Sequence, residues 1–140
     1  MDAEGKVLVA ASDCVQVKFT FTAAGASTLD TAKAISSKRE AGANYGMVAY
    51  GGSTYEWFEQ ANSVAAYAVG KTVEELKAGA IDESGYAVDV DLKTSASINL
   101  FGYVAAIEKA VANAKHLGAQ AGDELKLASI NSLDATPGEG

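Results

Sequence analysis

The stretch DLKTSAS, residues 91–97, combines one acid with three hydroxyl side chains and is followed by a strong helical pattern. Thr94, Ser95 and Ser97 lie within four positions, and Asp91 precedes them by three. The N-terminus of a helix exposes unpaired backbone N–H groups and carries a partial positive charge, so it stabilises a phosphate. A hydroxyl at that place can bind a phosphate or be esterified by one. A plainer interpretation stays open, because serine and threonine are common helix caps and threonine is common in strands.

A long helix is predicted earlier in the chain. Ser53 and Glu56 have the spacing of a capping box, and Gly70 predicts the end of the helix. Residues at helical spacing form one apolar face between these limits. They are Trp57, Ala61, Val64, Ala65 and Ala68.

Two further helices are predicted. Thr72 and Glu75 repeat the capping-box spacing, with Gly79 as the end of a short helix. The strongest helical pattern covers about residues 99–116, with Gly118 as its C-terminal cap. The hydroxyl cluster is therefore expected at the N-terminus of this last helix.

Alternating apolar residues predict strands near the two ends of the chain. Residues 124–133, ELKLASINSL, form a plausible last strand, followed by a frayed end or linker. Strands and helices do not alternate regularly, so the predicted fold class is α+β, with a small mixed or antiparallel sheet packed by two main helices. The alternating residues near the start are Val7, Val9, Val15, Val17, Phe19 and Phe21.

Composition limits the classes of function. The chain has 140 residues, 49% of them hydrophobic, and a net charge of −7, which argues against binding to nucleic acid. No segment reaches the roughly 18 apolar residues of a membrane helix, and neither a signal peptide nor a lipid anchor is predicted. The single cysteine, Cys14, is interpreted as a small apolar strand residue. No metal site is predicted, because His116 has no second histidine or cysteine near it.

Residues 91–97 resemble the Asp-x-x-Ser/Thr-Gly-Ala-Thr/Ser acceptor motif of covalent FMN-binding domains. In that family a separate flavin transferase joins the phosphate of FMN to the last hydroxyl of the motif. The resemblance matches Asp91, Thr94 and Ala96 to the acid, the first hydroxyl and the alanine. It implies that Ser97 is the acceptor and that Asp91 and Thr94 are recognised by the transferase.

Two positions depart from the family motif. Ser95 replaces the glycine, and it takes positive φ or allows close approach of a ligand less readily. Ser97 stands where threonine is usual, and it offers the same nucleophilic oxygen without the restricting methyl group. Three outcomes therefore stay open, namely a modified site, a site that binds flavin without a bond, and a site that has lost its function.

The resemblance extends to the order of three segments, 37–47, 55–77 and 94–115. They resemble the repeated domains of Gram-positive extracellular flavin-binding lipoproteins of the pheromone-precursor type. This implies a cell-surface electron carrier, not an enzyme, with a membrane or surface electron donor, an extracellular acceptor and neighbouring repeats. Residues 1–118 would be the FMN-binding-like domain, and residues 119–140 would be a C-terminal strand plus linker that supplies the opening strand of a tandem repeat.

Further side chains suit a flavin ring. Tyr45, Gly46 and Met47 lie in a predicted loop, where ligand contacts are expected, and Trp57 begins the first long helix. Aromatic and thioether groups suit a flat polarizable heterocycle, although Trp57 also fits an ordinary helix core. Two other functions stay open: a flavin-free structural or adhesive surface repeat, and a site for another small anionic ligand.

Overall fold

The structure is a computed structural model, and it describes residues 1–30 and 32–114. These residues form five α-helices and one 3-10 helix. The 3-10 helix, Gly42–Tyr45, directly follows α1. The α-helices are α1 (Lys38–Ala41), α2 (Trp57–Ala68), α3 (Val73–Ala80), α4 (Val90–Ser95) and α5 (Phe101–Asn113). Among the described residues, none of the helices has the length and apolar character needed to cross a membrane.

The core lies between α2, α3, α4 and α5. The predicted apolar face of α2 is confirmed, and Ala61 and Ala68 in it are fully buried. Small side chains on this face let the neighbouring helices come close. The core cluster consists of Val64, Ala68, Leu76, Ala80, Ala87, Leu92, Ala96, Leu100 and Val104.

The predicted α+β class is wrong, because the described part of the chain contains no strand or sheet. Only isolated bridges occur there: Val7 with Val69, Phe21 with Ser27, and Ile81 with Ala87. Most of the alternating apolar residues near the start are exposed, for example Val9 at 83% and Phe21 at 67%, whereas Val7 is buried and forms a single bridge to Val69. A strand becomes stable when it pairs along its length and buries one face, and neither condition is met here. The predicted strand at 124–133 lies outside the described residues.

The ends of α2 and α3 follow the predictions in part. Helix α2 ends just before Gly70, which has a φ of 78° as a helix-ending glycine should. The Thr72–Glu75 capping box of α3 is confirmed, with Glu75 N donating to Thr72 Oγ1 at 3.2 Å. Gly79 does not end α3, which continues to Ala80.

The hydroxyl cluster does not lie at the N-terminus of the last helix. Thr94 and Ser95 belong to the last turn of α4, and α5 begins only at Phe101. Asp89 is the N-cap of α4, and its side chain accepts the backbone N–H of Asp91 at 3.0 Å. Residues 96–100, which connect α4 to α5 and include Ser97, are called the acceptor segment below. The predicted end of α5 at His116 and its cap at Gly118 lie outside the described residues.

Candidate functional site

A cavity of about 420 Å³ lies against the N-terminal half of α2 and α5. This volume is within the usual range of small-molecule sites. Three of the side chains predicted to contact a flavin ring line it, although they come from two separate parts of the chain. The lining residues are Ser12, Asp13, Cys14, Lys38, Tyr45, Met47, Trp57, Ile98, Asn99, Gly102, Tyr103 and Ala106.

Aromatic rings form one wall of the cavity. Trp57 is only 2% exposed, and its ring centroid lies 6.1 Å from that of Tyr103, with 35° between the planes. Trp57 therefore belongs to the core and also lines the cavity, so its interpretation as a core residue is confirmed, and its contact with a flavin ring stays a prediction. Burial raises the pKa of Tyr103 to about 12, which keeps its hydroxyl neutral at ordinary pH.

Lys38 places a positive charge against the aromatic side of the cavity. Its Nζ lies 4.7 Å from the ring centroid of Tyr45 and 5.6 Å from that of Trp57, which are cation–π distances. The backbone N–H of Lys38 donates to Cys14 O at 2.8 Å, so α1 also holds residues 12–14, which line the cavity. Arg39 strengthens this attachment by donating from Nη2 to Ser12 O at 2.9 Å.

The loop that carries Met47 is held by the start of α2. The Glu56 carboxylate is 8% exposed, and it accepts the backbone N–H groups of Met47 at 3.0 Å and Val48 at 3.3 Å. Glu56 is also the N-cap of α2, which corrects the predicted box with Ser53. Gly46 has a φ of 81° and lies in the turn before Met47, where it lines a shallower neighbouring pocket.

The hydroxyl groups of Thr94 and Ser95 form hydrogen bonds within their own helix, α4. Thr94 Oγ1 donates to Asp91 O at 2.8 Å, and Ser95 Oγ donates to the same carbonyl at 3.1 Å. Ser95 has a helical backbone, and only glycines have positive φ among the described residues. The left-handed conformation that a glycine would permit is therefore not used at this position. Ala96, at 3% exposure, packs into the core and anchors the acceptor segment.

Ser97 forms hydrogen bonds to a side chain of α2. Three groups donate to the same oxygen, Gln60 Oε1. They are the Ser97 backbone N–H at 2.8 Å, the Ser97 Oγ at 3.3 Å and the Ile98 backbone N–H at 3.2 Å. Gln60 is fully buried, and its Nε2 donates to Tyr55 O at 2.9 Å and Ser53 Oγ at 3.0 Å. The Ser97 side chain remains exposed, so its hydroxyl is held on one side and open on the other.

Gln60 was not among the residues predicted from the sequence, although one signal for it was present. Gln60 stands one turn after Trp57 on the apolar face of α2, and a polar residue on such a face needs buried partners. The structure brings Tyr45, Met47 and Trp57 to the cavity, whose lining also includes the two residues that follow Ser97. Ser97 itself does not line the cavity, and neither do Asp91, Thr94, Ser95 and Ala96.

No family model, curated protein or solved structure matches the chain. Within residues 1–30 and 32–114, no group of three or more His, Cys, Asp or Glu side chains is placed to hold a metal ion.

Proposed function

We propose that the chain is an extracellular electron-transfer module that carries one FMN, joined through its phosphate to Ser97 Oγ. One observation carries this proposal. Tyr45, Met47 and Trp57 line a single cavity together with Ile98 and Asn99, which directly follow Ser97. A group attached at Ser97 would thus start one residue away from the lining of the cavity that contains these side chains.

The chemistry of the cavity fits a flavin. Tyr45, Trp57 and Tyr103 offer aromatic surface, Met47 offers a polarizable thioether, and Lys38 offers a positive charge for an anionic ring or phosphate. When bound, FMN supplies the electron transfer, and the protein supplies binding, orientation and electrostatics. The cavity is open to solvent on one side, which suits electron exchange with a donor and an acceptor outside the chain.

Attachment at Ser97 is a phosphoryl transfer catalysed by a separate flavin transferase. Ser97 Oγ forms a bond to the phosphorus of an activated flavin nucleotide, and the P–O bond to the leaving nucleoside monophosphate breaks. The hydroxyl proton passes to a base of the transferase, and no atom changes oxidation state. Gln60 Oε1 loses one donor in this step but keeps the N–H groups of Ser97 and Ile98, so no buried acceptor is left unpaired.

The partners of the module follow from this role. Asp91 and Thr94 are exposed on α4, where a transferase can recognise them without entering the cavity. The electron donor would lie in the membrane or at the cell surface, and the acceptor would be extracellular. Neighbouring repeats of the same type would lie in the same protein. The chain itself would convert no substrate, and the enzyme would be the transferase.

Co-expression with a flavin transferase tests the proposal. Intact mass should rise by one FMN minus water, and the protein should keep its yellow colour after denaturation. Ser97→Ala should show neither effect. A colour that is lost on denaturation would instead indicate reversible binding. An unmodified, colourless chain, made beside a transferase that modifies another substrate, would overturn the proposal and favour a flavin-free structural or adhesive surface repeat.

A further inference from the structure

We infer that Gln60 is the positioning residue that selects Ser97, among the three neighbouring hydroxyls, as the site of modification. This inference rests on the proposed attachment of FMN to Ser97. It adds the device that presents the hydroxyl to the transferase, a device that lies 37 positions away on α2.

The three hydroxyls differ in what holds them. Thr94 Oγ1 and Ser95 Oγ both donate to Asp91 O, so each lies against the backbone of its own helix. Ser97 follows the end of α4 and is anchored by its side chain and its backbone to Gln60. Only Ser97 therefore combines an exposed side chain with a backbone fixed from outside its own segment.

The orientation of the Gln60 amide is determined by its partners. The N–H groups of Ser97 and Ile98 are donors only, so the amide must turn its oxygen toward them. The Tyr55 carbonyl is an acceptor only, so it must face Nε2. Burial of the whole side chain then holds this arrangement, because each buried polar atom would lose a partner if the amide turned over.

Because the backbone of the acceptor segment is fixed, the free-energy cost of bringing Ser97 Oγ into the geometry for phosphoryl transfer is lower. Small displacements of a reacting group reduce the rate of a positioned reaction strongly. Without the Gln60 oxygen, the Ser97 and Ile98 N–H groups lose their common acceptor, and the hydroxyl samples more orientations. Modification should therefore slow, even where the fold and the transferase recognition residues Asp91 and Thr94 are unchanged.

The test compares modification with local backbone protection in the full chain. Gln60→Met removes the acceptor oxygen, and Gln60→Asn withdraws the amide by about 1.5 Å, one C–C bond length. Both should remove hydrogen-exchange protection at the Ser97 and Ile98 amides, measured without transferase or flavin. With transferase, both should slow the mass gain by about tenfold or more relative to the parent chain.

Two further variants separate positioning from general stability. Gln60→Glu keeps an acceptor oxygen toward the Ser97 and Ile98 amides. Burial favours the protonated carboxyl, whose O–H takes the place of Nε2 in donating to Tyr55 O, so at mildly acidic pH this variant should restore most of the protection and most of the modification rate. Ser53→Ala removes a partner of Nε2 on the opposite side of the amide and should leave the modification rate within about twofold. Circular dichroism and thermal midpoints verify that each compared variant is folded. Should Gln60→Met fail to fold, Gln60→Asn and Gln60→Glu still give the comparison.

The outcomes distinguish the inference from the proposed function. A parent chain modified at Ser97, with slow Gln60→Met or Gln60→Asn and a rescued Gln60→Glu, supports the inference. A modified parent chain with equally fast Gln60 variants overturns the inference and leaves the proposed function intact. A parent chain that is modified at Thr94 or Ser95 instead of Ser97 overturns the inference together with the proposed attachment site. A parent chain that an active transferase leaves unmodified overturns both.

Discussion

Gln60 Oε1 accepts the backbone N–H of Ser97 at 2.8 Å and thereby joins α2 to the segment between α4 and α5. Helix α2 makes two comparable attachments nearby. Glu56 holds the backbone of Met47, and Trp57 forms the aromatic wall of the cavity. One helix therefore sets the position of the predicted acceptor, of the Met47 loop and of the ring surface between them. The candidate site depends on α2 more than on the hydroxyl stretch that first indicated it.

Glu56→Ala should release the Met47 loop. The carboxylate accepts the backbone N–H groups of Met47 and Val48, and hydrogen bonds to a charged group contribute about 1.5–3 kcal/mol. We expect the free energy of unfolding to fall by about 2–3 kcal/mol in urea titrations. Glu83→Ala, an exposed turn position, is the matched control and should change it by less than about 0.5 kcal/mol. Equal effects of the two substitutions would contradict the role given to Glu56.

Local signals in the sequence were sufficient for α2 and α3, but they did not predict α4 as a separate helix before α5. The spacing of Ala61, Val64 and Ala68 predicted the buried face of α2, and the Thr72–Glu75 pair predicted the start of α3. Such signals act within one or two turns, so they need no knowledge of the rest of the fold. The Ser53–Glu56 pair has the same spacing but is not a box, because Ser53 Oγ accepts from Gln60 Nε2 instead.

Long-range pairing could not be predicted in the same way. The alternation of Val15, Val17 and Phe19 is equally compatible with a paired strand and with an extended segment left in solvent, and the described fold has the second. The contact of Gln60 with Ser97 likewise has no local signature. Tyr45, Met47 and Trp57 could be proposed as ring contacts from their chemistry alone, but their common cavity follows from the packing of α1, α2 and α5.

Tyr103 should be detectable as a late-titrating tyrosine. Burial raises its pKa to about 12, from an ordinary value of about 10. The folded state therefore favours the neutral phenol. The contribution of Tyr103 to the free energy of unfolding is fully present below about pH 10 and is lost as the pH rises toward 12. Ultraviolet titration should show a phenolate component near pH 12 that is missing in Tyr103→Phe. A component that persists unchanged in the variant would show that another tyrosine is responsible.

Gly46 should tolerate no side chain. Its φ is 81°, a conformation that strains any other residue. An added Cβ would also lie 2.5 Å from Tyr50 Cδ2, but Tyr50 is 91% exposed and can turn away, so the backbone strain accounts for most of the cost. Gly46→Ala should lower the free energy of unfolding by about 1–3 kcal/mol. Gly102→Ala is the contrasting variant, because Gly102 is helical and its Cβ would meet nothing within 4 Å. That substitution should raise stability by about 0.5–1 kcal/mol in the same unfolding assay. A loss of stability in both variants would show that Gly102 has a packing role.

Lys38 should raise the reduction potential of a flavin in the cavity. Its ammonium lies over the rings of Tyr45 and Trp57, and a positive charge there stabilises the more negative, reduced form of the ring. Lys38→Gln should make the potential about 20–30 mV more negative, since 30 mV corresponds to about 1.4 kcal/mol for a two-electron couple. Redox titration of the FMN-carrying protein measures this change. Lys109→Gln removes the same charge from an exposed position on α5 and should shift the potential by less than about 10 mV, because solvent screens it. Equal shifts in the two variants would mean that net charge, and not the position of Lys38 beside the cavity, sets the potential.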